Sequence, residues 1–130
     1  MLYNYRFTFS FLIAIPATLF MCLFEETKNW PEIIVYNKTG YQLDSLEFEE
    51  HYFQLQPNDS IIIKNCKSFS MQDDLPFGFP QAKIKGISVK KPPYFICGAG
   101  ISKILHGTYQ YDIILIKNVD FPFLIWQNHK

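Results

Sequence analysis

From Pro31 onward, apolar residues come in short runs separated by turn formers, and no run keeps a helical period. Ile33-Ile34-Val35-Tyr36 predicts the first strand, and Asn37-Lys38-Thr39-Gly40 its turn. Tyr41 and Leu43 then lie on one parity, Leu46 and Phe48 on the other. One extra residue around Asp44-Ser45 restores a single buried face, which is the work of a bulge. A short strand over residues 52–55 follows, then the turn Gln56-Pro57-Asn58-Asp59 and a strand over 60–64. Residues 66–71 alternate and predict another strand, ahead of a loop over 73–80 rich in proline and aromatics.

Within residues 81–90, Ala82 and Ile84 share one parity and Ile87 and Val89 the other, with Gly86 at the change. A second bulge or bend is expected there. Lys91-Pro92-Pro93 breaks the chain before a short strand over 94–97, and Gly98-Ala99-Gly100 makes a turn. Residues 101–105 fit either a strand or a single helical turn. The clearest strand covers 108–117: Tyr109, Tyr111, Ile113 and Leu115 share a face, while Ile114 and Ile116 add apolar character to the other. A strand apolar on both faces belongs in the middle of a sheet. Residues 119–126, interrupted by Pro122, suit an edge. About 7–8 strands with little helix predict an all-β domain, a sandwich or small barrel, over residues 31–126.

The N-terminus follows a different rule. Arg6 precedes an uncharged run over residues 7–24, closed by Glu25 and Glu26. This is the order of an export signal or signal anchor, and it predicts a hydrophobic helix within residues 1–26 that attaches the chain to a membrane through 7–24. Positive-inside logic sends the rest of the chain across, so the domain is expected on the non-cytoplasmic side of the envelope. The residues around 19–24 lack the small side chains of a cleavage site. Cys22 resembles the acylated cysteine of bacterial lipoproteins, with Met21 where those proteins carry a small residue. A retained anchor, a lipid-bearing Cys22 and free secretion all remain open.

Composition narrows the classes. The 130 residues carry 12 basic and 12 acidic side chains, so no basic surface is available for nucleic acid. Aromatics reach 18%, too many for a disordered chain. With Cys22 in the targeting segment, Cys66 and Cys97 are left to the domain, and in an exported protein they are expected to form a disulfide. Such a bridge stabilises by about 3–4 kcal/mol in the chain-entropy treatment.

Gly107-Thr108-Tyr109-Gln110-Tyr111 resembles the Gly-x-Tyr segment that opens the penultimate strand of immunoglobulin-like sandwiches, where the tyrosine makes a "tyrosine corner". The resemblance implies an immunoglobulin-like antiparallel β-sandwich and gives Tyr109 the corner role. Tyr111 stands where antibody domains have a cysteine, and Trp30 and Trp126 lie at the two ends, so the inter-sheet disulfide and the buried central tryptophan of that family are missing. With its N-terminus, the chain also resembles small exported sandwich proteins of bacterial envelopes. That likeness implies an architecture and no activity.

Candidate chemistry is sparse. Cys97 and His106 form a possible thiol–base pair, but no third group or oxyanion hole accompanies them. His51, His106 and His129 are far apart, and His129, next to the last residue, is expected to be disordered. Asp73-Asp74 reads as an exposed turn, and Asp44, Glu47, Glu49 and Glu50 as a solvated strand face and turn. Gly98-Ala99-Gly100 lacks a third glycine, since position 103 is Lys103. No catalytic, metal or cofactor site is expected. The distinctive feature is the loop with Pro76, Phe77, Phe79 and Pro80, followed by Lys83, Lys85, Lys90 and Lys91. Rigid aromatics on a loop make good interface anchors. The leading expectation is therefore a non-enzymatic, membrane-attached module that binds a protein partner, of inhibitor or immunity type. An envelope enzyme or small-ligand binder using Cys97 and His106 or an inter-sheet cavity is one alternative. An accessory subunit that buries its Phe121–Trp126 tail in a partner is the other.

Overall fold

A computed structural model describes residues 29–89, 91–92, 98–117 and 121–130. The expected export segment with Cys22, and the expected strand holding Cys97, lie outside the described residues. Among the described residues the structure is all-β, with eleven strands and no helix. They are β1 (Glu32–Asn37), β2 (Leu43–Phe48), β3 (His51–Leu55), β4 (Ser60–Ile63), β5 (Ser70–Gln72), β6 (Leu75–Pro76), β7 (Gln81–Ile84), β8 (Ile87–Ser88), β9 (Ser102–Lys103), β10 (Thr108–Ile116) and β11 (Phe123–Asn128). One four-stranded sheet has the order β11-β10-β1-β4, a second the order β3-β2-β7-β8, and a three-stranded sheet the order β6-β5-β9.

Both larger sheets bury one face in the same core. Ile33, Val35, Tyr111, Ile113, Leu124 and Trp126 come from the first, and Leu43, Leu46, Phe48, Leu55 and Ala82 from the second. β10 sits between β1 and β11, as an apolar strand should, and β11 closes that sheet with Pro122 just ahead of its first residue. The tail that one alternative buries in a partner is paired within the chain from Phe123 on, with Leu124 and Trp126 in the core.

The pairing is antiparallel except in one place. β1 and β10 run parallel, Ile33 opposite Tyr109 and Val35 opposite Tyr111, which departs from the fully antiparallel expectation. Parallel neighbours need a long crossover, and here the chain between β1 and β10 includes the whole second sheet. Short-range pattern cannot reveal such a pairing.

Local chemistry explains the turns. The expected bulge is present: β2 shifts register between Leu43 and Leu46, Ser45 adopts φ 51°, and Leu43, Leu46 and Phe48 all face the core. Around Gly86 the expected bend is a full reversal. Lys85 and Gly86 take φ 52° and 76° between the paired Ile84 and Ile87, the positive-φ signature of a type I′ hairpin. The parity change there reflects two strands instead of one bent strand. Glu49-Glu50 and Asp73-Asp74 make similar reversals with both residues at positive φ. At Gln56-Pro57-Asn58-Asp59, the Asp59 amide donates to the Gln56 carbonyl at 3.2 Å and Asn58 takes φ 62°, the type II pattern with proline first. Residues 101–105, open between strand and helix, contain β9 paired with β5.

The chain leads into β1 at Asn29–Pro31, where the Glu32 amide donates to the Gly107 carbonyl and the Cys66 amide to the Pro31 carbonyl. We call this the proximal end. The C-terminal ends of β1 and β10 define the distal end, reached over the six residues of β1, or roughly 20 Å.

Candidate functional site: an aromatic groove at the proximal end

The loop that follows β6 is anchored from both sides. Pro76 and Pro80 are buried, and the Phe77 amide donates to the Ser70 carbonyl at 2.9 Å. Two prolines with fixed φ leave the intervening segment little freedom. Phe77 nevertheless stays 44% exposed, while Phe79 is half-buried. Beside them opens a groove of about 260 Å³ lined by Phe48, Phe69, Trp126, Phe77 and Phe79 with Glu47 and Glu49.

Its floor is a set of interlocked rings drawn from the two larger sheets and from Phe69, which stands just before β5. Phe48 at the end of β2 meets Trp126 of β11 edge-on at 6.0 Å and Phe69 at 6.2 Å. Phe69 also packs against Tyr109 and Tyr111 of β10 at 5.8 and 6.2 Å. The Tyr111 hydroxyl bonds to the Met71 sulfur at 2.8 Å, tying β10 to β5. Ring contacts of this kind add about 0.5–1.5 kcal/mol each beyond area burial, so the floor is rigid. Burial pushes the Tyr111 phenol up to about 12.

Carboxylates form the rim. The hairpin at Glu49-Glu50 turns Glu49 toward the groove, where its Oε1 accepts from the Ser68 amide at 2.9 Å. Partial burial raises its pKa, opposed by that hydrogen bond. Glu47 is exposed on β2. A groove with aromatic walls and a carboxylate rim can receive a cationic or aromatic side chain. The described residues contain no group of histidine, cysteine and acidic side chains fit to hold a metal ion.

The other candidates are scattered. Cys66, expected in a disulfide, carries a free and buried thiol that donates to the Ile63 carbonyl at 3.3 Å. Burial, with Glu49 adding to it, pushes that thiol from 9.0 to about 11, which suits an inert packing group. His106 is exposed, and Cys97, its partner in the alternative thiol–base reading, lies outside the described residues. The Tyr109 hydroxyl donates to the His106 carbonyl at 3.2 Å. Gly107 is required for that approach: it adopts φ 109°, and a Cβ there would meet the Tyr109 ring and hydroxyl at 3.1 Å. His51 is exposed against Phe53. Asp44 accepts from Gln42 and Gln54, which hold its carboxyl below the usual range, the Gln54 bond contributing most. At the turn Gly98-Ala99-Gly100 the Ala99 carbonyl accepts from Gln72 at 2.8 Å.

His129, expected to be disordered, is held in place instead. Its Nδ1 lies 2.6 Å from Asp112 Oδ1 and its ring stacks on Tyr36 at 3.8 Å, across the outer face of the first sheet. The signal for this is the alternation of β10, which places Asp112 on the face opposite Tyr111 and Ile113, but pairing with Tyr36 depends on the parallel neighbour.

Two distal features escape sequence reading. Asn37, read as a turn residue, is fully buried. Its amide donates to the Tyr41, Leu55 and Gln56 carbonyls at 2.7, 3.0 and 3.1 Å, and its Oδ1 accepts from the Thr39 amide and hydroxyl. The Asn-x-Thr spacing is a recognisable side-chain-to-backbone turn motif, yet the carbonyls from β3 are contributed by tertiary structure. Beyond this knot, Tyr41, Lys85 and Lys117 meet over an apolar opening. No protein-family profile, curated protein or solved structure matches the chain.

Proposed function

We propose that this chain is an exported, membrane-attached, non-enzymatic β-sandwich of immunoglobulin-like type that serves as a protein-interaction module of the cell envelope. The observation that carries the reading is Phe77, exposed on a loop whose flanking Pro76 and Pro80 are buried. An aromatic ring held rigid before binding loses little entropy on contact and suits the centre of an interface. The adjoining Glu47 and Glu49 favour a partner that presents a basic segment with an apolar anchor, as the target of an inhibitor or immunity protein can. Tyr109 supports the immunoglobulin-like assignment, because its hydroxyl reaches back to the backbone at His106 as a tyrosine corner does. The parallel β1–β10 pair is compatible with a sandwich whose first strand joins the sheet of its last. Export rests on the sequence order of Arg6, the apolar run and Glu25-Glu26.

The test is purification of the full chain from native membranes with mild cross-linking and mass spectrometry. A stoichiometric protein partner is expected, and it is lost with Phe77→Ser, which costs the fold little because the ring is already exposed. Glu47→Lys gives a second, charge-based variant expected to weaken the same capture at unchanged stability. A clean monomer from native membranes, or a partner held equally by both variants, removes the reading.

A further inference from the structure

The distal end carries a second opening, of about 530 Å³, between the β7–β8 hairpin and the end of β10. A volume in the range of about 300–1,000 Å³ is that of small-molecule sites. Its walls are apolar: Ile84 and Ile87 from the hairpin with Val89 after it, Leu115 from β10, and Phe121 with Pro122. Ile87 stands 73% exposed, the most of any large apolar side chain described, so this wall is not covered by the described chain.

Among the described residues its charged groups are all of one sign, with the Tyr41 and Ser88 hydroxyls beside them. Lys117 Nζ donates to the Tyr41 hydroxyl at 3.2 Å and lies 4.7 Å from the centre of the Tyr41 ring. Lys85 Nζ lies 5.7 Å from the same ring. Two ammonium groups thus flank one tyrosine, and no carboxylate lines the opening among the described residues. The local field is positive enough to lower the Tyr41 pKa, chiefly through the Lys117 hydrogen bond. The described salt bridges join Lys64 to Glu32 and His129 to Asp112, and neither involves Lys85 or Lys117. An apolar wall ending at two cations against an aromatic platform is complementary to a ligand with an apolar chain and a single anionic head.

We propose that the distal opening binds a soluble anionic amphiphile, a carboxylate joined to an apolar chain, with the chain along Ile84, Ile87 and Leu115 and the carboxylate between Lys85 and Lys117. The ligand is soluble rather than membrane-borne because the opening lies at the end of the fold away from Asn29–Pro31. That source rests on the membrane attachment proposed above through residues 7–24, which precede Asn29 in the sequence. This binding is independent of the aromatic groove and of the partner proposed for it.

The experiment places the full chain in nanodiscs of neutral phosphatidylcholine and adds dodecanoic acid bearing a diazirine, or its methyl ester. After illumination, adducts are mapped by mass spectrometry. Acid label is expected on the peptides holding Ile87 and Leu115, and Lys85→Gln with Lys117→Gln reduces it about tenfold while ester labelling stays as it was. Should the double variant fold poorly, a salt series on the unaltered protein reads the same property: raising ionic strength lowers acid labelling and spares the ester. Equal labelling by acid and ester, or acid label mapping elsewhere, overturns the proposal. Distal labelling by a diazirine phosphatidylglycerol built into the disc, with none by the free acid, overturns the soluble source.

Discussion

At the proximal end the core is closed by aromatic rings and rimmed by carboxylates; at the distal end it is closed by mostly aliphatic side chains and flanked by ammonium groups. The two ends also hold their backbones by different means. The proximal floor is ring against ring, Phe48, Phe69, Tyr111 and Trp126, with Phe77 left outside. Below the distal opening a single amide, Asn37, bonds carbonyls from the turn after β1 and from the end of β3. The difference teaches how a neutral chain can offer two chemically distinct surfaces. Dispersive packing makes a rigid wall that tolerates exposed rings, whereas a directional polar knot fixes a turn and leaves aliphatic residues beyond it uncovered.

Three perturbations sharpen that contrast. The largest effect is expected from Trp126→Ala, which empties the proximal floor and costs about 4 kcal/mol, as large-to-small core changes do. Urea denaturation checks the loss. Hydrogen exchange should then quicken around Phe69 and Ser70 before it does at Tyr41.

Asn37→Ala should cost about 3 kcal/mol, because it leaves the buried Leu55 carbonyl and the partly buried Tyr41 and Gln56 carbonyls without their donor. Its exchange pattern is the reverse, with loosening at Tyr41 and Leu55 and an intact proximal floor. If both variants loosen both ends alike, the two ends are one cooperative unit and the contrast between them is only chemical.

The smallest effect is alkaline. Cys66 and Tyr111 are held protonated by burial, with folded pKa values near 11 and 12 against ordinary values of 9.0 and 10.0. Because the folded values are the higher ones, this contribution is complete below about pH 9 and is lost as pH rises toward 12. Stability should fall by on the order of 2 kcal/mol across that window through Cys66 alone. Thermal melts from pH 8 to 11 check the slope, and Cys66→Ala should flatten it. A flat profile in the unaltered protein would show that the proximal core lets water reach the thiol.

How much of this was legible in the chain varies from element to element. The Ser45 bulge was readable because a parity change between Leu43 and Leu46 has few other remedies in a half-buried strand. The same kind of signal at Gly86 was ambiguous, since a parity change marks a hairpin as readily as a bend. Thr108–Ile116 was readable as a central strand from its two apolar faces. Its parallel neighbour was not, because pairing between residues so far apart leaves no local trace. In the candidate groove, Pro76, Phe77, Phe79 and Pro80 stood out by composition. Trp126 read only as part of an apolar tail, and Glu49 only as part of an acidic run. His129 read as a frayed end because its partners Asp112 and Tyr36 lie on two other strands.

By itself, then, the sequence determined an all-β domain after Pro31, the breaks after β1, β3 and β10, and which residues of most strands turn inward. These properties follow from side-chain periodicity and turn chemistry, which act over a few residues. Only the tertiary structure decided that Cys66 is a free packing thiol and that Asn37 is a buried knot. It alone gathered the rings of Phe48, Phe69 and Trp126 into one groove, and Tyr41, Lys85 and Lys117 around another. Those outcomes depend on which strands become neighbours, and that choice is made by the whole core closing at once, since no short segment buries enough apolar surface to decide it alone.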